Sequence, residues 1–95
     1  MRGLTSEEAA VLLKLYRRRK FGANHILVDN LLSGRPPERL ADLRRALERL
    51  ERDAIVTRKP TRHGTAVSIP PHLGREVYEE LSRHYPFLPR PPWLR

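Results

Sequence analysis

Residues 24–53 read NHILVDNLLSGRPPERLADLRRALERLERD, and the periodicities inside this stretch decide the fold. In its second half Leu40, Leu43, Leu47 and Leu50 recur at three- and four-residue steps, which predicts an amphipathic helix over about Glu38–Asp53. A stripe of about two heptads is too short to sustain a coiled coil, so it faces a core. Helical geometry puts Ala41, Arg45, Glu48, Arg49 and Arg52 on the opposite, solvent side. In the first half Ile26, Leu27, Val28, Leu31 and Leu32 are apolar on most sides, which predicts a short buried helix over about His25–Leu32 with Asn24 as N-cap. Ser33-Gly34 closes that helix, Arg35-Pro36-Pro37 makes a rigid turn, and Pro37 suits the first turn of the next helix.

Towards the N-terminus, Thr5 and Glu8 have the spacing of a capping box. Ala9, Leu12, Leu13 and Tyr16 then share one helical face. Arg17-Arg18-Arg19-Lys20 places cations at the negative end of this helix, and Gly22 is the expected stop. Towards the C-terminus the period changes. Residues 55–59 and 65–69 read as two strands, and Pro60-Thr61-Arg62-His63-Gly64 has turn composition. Pro70-Pro71 ends this hairpin, and a fourth helix follows over about Leu73–His84, burying Val77, Tyr78 and Leu81. The rest of the chain is proline-rich but carries Phe87, Leu88, Trp93 and Leu94.

Ninety-five residues suffice for one domain and one core. With no cysteine, disulfides and thiolate metal sites are excluded. His25, His63, His72 and His84 have no helical ligand spacing, so neither a metal nor another cofactor is expected. No apolar run is long enough to span a bilayer, and a cytoplasmic, nucleoid-associated location is the simplest expectation. There is no glycine-rich phosphate loop, nucleophile elbow or helical H-E-x-x-H, so no enzyme is expected. The formal net charge of +8 favours a polyanionic partner.

Three helices, a hairpin and a closing helix resemble the winged helix-turn-helix family, in particular its compact prokaryotic or archaeal regulators. The features carrying the resemblance are the short helix at 25–32, the Gly34–Pro37 turn, the leucine-striped helix and the hairpin that follows it. The resemblance implies a mainly α, α+β winged helix over residues 1–85, followed by a tail over 86–95. It also implies double-stranded DNA as partner, with the third helix in the major groove. In that pose the third helix offers Glu38, Ala41, Asp42, Arg45 and Arg49 to the base edges, with Arg45 reading a guanine and Arg52 a further candidate contact, while Arg58, Lys59, Arg62 and His63 of the wing follow the backbone or the minor groove.

Charge is unevenly divided. Residues 1–23 carry six basic and two acidic groups, residues 24–53 carry six of each, and residues 54–69 carry three basic groups and no acidic one. Arg17, Arg18, Arg19, Lys20 and the wing are therefore the expected backbone grip, with Arg35 in the turn between them. A helix surface laced with ion pairs explains the arginines of the third helix about as well as base reading does. General DNA coating, RNA binding and a protein-docking module are the rival functions. Tyr78, Tyr85, Phe87 and Trp93 are candidates for a homodimer interface, and folding of the tail onto its own domain is the simpler alternative.

Overall fold

The structure is a computed structural model that describes residues 1–93; Leu94 lies outside the described residues. Thr5 starts helix α1 (Ser6–Arg17) as its spacing predicts. Glu8 N–H donates to Thr5 Oγ1 (3.2 Å), and Thr5 N–H donates to Glu8 Oε1 (2.8 Å). The buried apolar positions are Ala9, Val11, Leu12 and Leu15, with Leu13 and Tyr16 only partly covered. This arc is wider than the expected stripe because three other helices pack on α1.

The end of α1 departs from expectation. The helix stops at Arg17, and the stop is Arg19 rather than Gly22. Arg19 takes φ +56°, its N–H donates to Tyr16 O (3.0 Å), and Lys20 N–H donates to Leu15 O (2.9 Å). These paired bonds form a Schellman cap with arginine where glycine is usual. Gly22, also left-handed, serves a different contact: its N–H donates to Ile69 O (3.0 Å), and a Cβ there would come within 3.0 Å of Pro71.

The stretch expected as one helix over 25–32 is instead a strand and a single helical turn, β1 (Ile26–Leu27) and α2 (Val28–Leu31). Ile26 pairs with Val67 and Leu27 with Ala66, so long-range pairing overrides the helical reading of this apolar run. Asn24 does not cap α2. Its Nδ2 donates to Arg19 O (2.8 Å), and its Oδ1 accepts from Lys20 Nζ (3.2 Å), which braces the end of α1 instead. The carbonyls at the end of α2 are met by Lys14, whose Nζ donates to Leu31 O at 2.7 Å.

Helix α3 (Pro37–Arg52) begins at the expected proline and buries Leu43, Ala46, Leu47 and Leu50, with Leu40 at the edge of the core. It ends in a second Schellman cap. Ala54 N–H donates to Glu51 O (3.1 Å) and Ile55 N–H to Leu50 O (2.9 Å), with Ala54 at φ +60°. A left-handed residue with a Cβ is strained by about 1–2 kcal/mol, and glycine relieves this at some cost in unfolded-chain entropy. Ala54→Gly is therefore expected to stabilise the fold by about 0.5–1 kcal/mol, read as a higher denaturation midpoint with an unchanged denaturant slope.

The hairpin is offset from its expected position. Strands β2 (Thr57–Thr61) and β3 (Gly64–Ser68) meet across a two-residue turn, Arg62-His63, closed by Thr61 Oγ1 donating to Gly64 O (2.6 Å). Ile55 and Val56 leave the strand and enter the core, while Pro60 lies within β2, opposite Thr65. The antiparallel sheet has the order β1-β3-β2, so β2 is an edge strand, where proline is tolerated. Pro70 and Pro71 end the hairpin, a 3₁₀ turn (Pro71–Leu73) follows, and α4 (Gly74–His84) packs against α1 and puts Val77 and Leu81 into the common core. The described residues thus form a mainly helical α+β fold with four α-helices around one small antiparallel sheet. No helix among them is long and apolar enough to cross a membrane.

Candidate nucleic-acid interface

The pairing of β1 with β3 brings two distant parts of the sequence together. A cleft of about 600 Å³ is lined by Arg18 and Lys20 from the end of α1, His25, Asn30 and Ser33 from the β1–α2 segment, and Thr61 and His63 from the hairpin tip. Among the described residues no carboxylate lines it. Lys14 lies behind this surface, and its ammonium is held below its ordinary pKa, first by burial and then by the positive charges of Arg18 and Arg35. Arg35 therefore belongs to the same positive neighbourhood.

The remaining cations divide into engaged and unengaged ones. Arg49, expected on the solvent face of the third helix, is half-buried, and its Nε donates to the carboxylate of Glu8 at 3.0 Å. Arg58 donates to Glu51 at 2.8 Å, and that bond holds its guanidinium above its ordinary pKa. Arg45 lies 3.4 Å from Asp42 and Arg44 3.9 Å from Asp29, all exposed and so weakly coupled. By contrast Arg17, Arg18, Arg19, Lys20, Arg35, Arg52, Lys59 and Arg62 have no carboxylate partner among the described residues. Of the residues expected to bind nucleic acid, Arg18, Lys20 and His63 converge on the cleft. Arg52 and Arg49 lie on α3 away from its lining.

His25, Asn30, Ser33 and Thr61 were not singled out by the sequence. Thr61 belongs to the wing itself, while His25, Asn30 and Ser33 become its neighbours through β1, and a two-residue strand leaves no periodic signal. The candidate partner surface also divides. Tyr78 sits against Tyr16 (ring centroids 6.4 Å apart), whereas Tyr85, Phe87 and Trp93 line a separate cavity under the tail. Trp93 folds back onto Tyr16 and Phe21, with ring centroids 6.5 and 6.4 Å away. Among the described residues no three of His, Asp and Glu gather as a metal site would require.

Comparison with protein-family models, with curated proteins and with solved structures found no match to this chain.

Proposed function

We propose that the chain is a winged helix-turn-helix protein that binds double-stranded DNA and acts as a transcription regulator. The observation that carries this reading is the cleft, free of carboxylates among the described residues, that Arg18 and Lys20 line together with the hairpin-tip residues Thr61 and His63. The element order α1-β1-α2-α3-β2-β3-α4 is compatible with the winged-helix plan, with α3 as the recognition helix and the β2–β3 turn as the wing. In that arrangement α3 enters the major groove while the wing and the end of α1 hold phosphates on either side.

A second reading, binding without sequence preference, is favoured by the engagement of Arg49 with Glu8 and by the acidic neighbours that Arg44 and Arg45 have in Asp29 and Asp42. One titration separates the two. A labelled duplex is bound across a salt series, with random duplex as competitor and single-stranded RNA as control. If Arg18, Lys20, Arg35, Lys59 and Arg62 each neutralise a phosphate, log K falls with log salt at a slope of about −4 to −5. Absence of duplex binding at low salt would refute the proposal. Arg45→Ala is expected to relax preference at one base pair if α3 reads sequence, and to leave the competition profile unchanged if it does not.

A further inference from the structure

Residues 86–93 cross a groove without filling it. Pro89, Pro91 and Pro92 lack an N–H and favour extended backbone, so the segment arches over the groove instead of coiling into it. Trp93 anchors the far end so closely over Gly74 that a Cβ there would come within 3.3 Å of the indole. Beneath the arch lies a cavity of about 1180 Å³, large enough for a small organic ligand.

Its walls are mainly apolar, formed by Leu13, Tyr16 and Phe21 on one side and Leu88 and Trp93 on the other. Among the described residues no carboxylate lines it, and three cations do: Arg17 in the last turn of α1, Arg19 in the left-handed position just beyond, and Arg90 in the tail itself. None of the three has a carboxylate partner among the described residues. Two further groups lack partners. Phe87, at the wall, is 97% exposed, and the Tyr16 hydroxyl is closed off from solvent with no hydrogen-bond partner among the described residues. Burial raises the pKa of that hydroxyl, so it stays a neutral donor.

We propose that this cavity binds an amphipathic carboxylate, with its apolar body under the tail and its carboxylate on Arg17 and Arg19. Charge complementarity selects this class. A cationic ligand meets three like charges, and a neutral one leaves the guanidinium forks of Arg17 and Arg19 without the bidentate acceptor they fit. The site lies outside the basic cleft and does not depend on the DNA-binding reading.

The chain has one tryptophan, so all indole emission reports Trp93. Decanoate is titrated into the protein, with decanol as the neutral control of equal chain length, and calorimetry run in parallel. A saturable signal with decanoate is expected, with binding about tenfold weaker for decanol and for the double variant Arg17→Gln/Arg19→Gly. Glycine suits the φ of +56° at position 19, so the variant keeps the fold. No saturable signal by either method, or equal affinities across ligands or proteins, overturns the proposal. So does a chain that sediments as a dimer with the cavity closed to decanoate, which would assign the groove to a second copy. No DNA is present in the titration, so its failure leaves the duplex-binding proposal standing.

Discussion

Glu8→Gln is expected to lower the unfolding free energy by about 3 kcal/mol at pH 7. Glu8 is 1% exposed and sits where three segments meet. Its carboxylate accepts from Arg2 Nη1 and Nη2 (both 2.8 Å), from Arg49 Nε (3.0 Å) and from the N–H of Thr5 (2.8 Å). Arg2 also donates to Asp53 at 2.6 Å, so one carboxylate ties the N-terminal segment, α1 and the end of α3 together. The Arg2 guanidinium is the main reason that the Glu8 carboxyl falls from its usual 4.5 to about 2, against the opposing effect of burial. The sign follows from that shift. A carboxyl whose pKa is depressed on folding stabilises the fold fully above its unfolded value of 4.5, and the contribution disappears as pH falls towards 2. Glutamine keeps the shape and the bond to Thr5 N–H but removes the charge. Denaturant unfolding across pH should therefore show the largest gap between the two proteins above pH 5 and convergence near pH 2. A constant gap across that range would mean that packing, not charge, dominates at this position.

Neutralising the cleft and wing together, as Arg18→Gln, Lys20→Gln, Lys59→Gln and Arg62→Gln, is expected to weaken duplex binding about a hundredfold or more at low salt. The slope of log K against log salt should become shallower by about 3–4, because each phosphate contact contributes about 0.9. None of the four side chains has a carboxylate partner among the described residues, so folding stability should change little. Arg49→Gln and Arg58→Gln form the contrasting pair. Their guanidinium groups are held by Glu8 and Glu51, and their loss should register in stability more than in the salt slope. An unchanged slope in the fourfold variant would remove the cleft from the proposed interface.

The features legible in the sequence were those determined within a few residues. The Thr5–Glu8 capping box, the proline that opens α3 and its leucine stripe are each short-range, and each stands where its spacing places it. Features set by distant partners were not legible. Ile26 and Leu27 look helical beside Val28 and Leu31, and only pairing with Val67 and Ala66 makes them a strand. Glycine is the usual sign of a left-handed cap, so Arg19 and Ala54 gave no signal that two helices end at them. Segment charge pointed to the end of α1 and to the wing, yet their convergence on one cleft depends on β1. Charge counting also could not separate Arg49, bound to Glu8 across forty-one positions, from the unpaired Arg52 on the same helix.

The outer edge of the sheet bears on self-association. A free edge strand offers a row of backbone donors and acceptors to any neighbouring chain, and strand addition is the route to fibrillar growth. Here Arg58, Lys59 and Pro60 occupy three successive positions of β2, all exposed. A second copy approaching this edge meets like charges and a residue with no N–H to offer, while β1, on the opposite edge, spans only two residues. If duplex DNA gathers many copies along its length, as proposed, their local concentration rises, and both edges of this sheet disfavour the edge-to-edge pairing that such crowding invites.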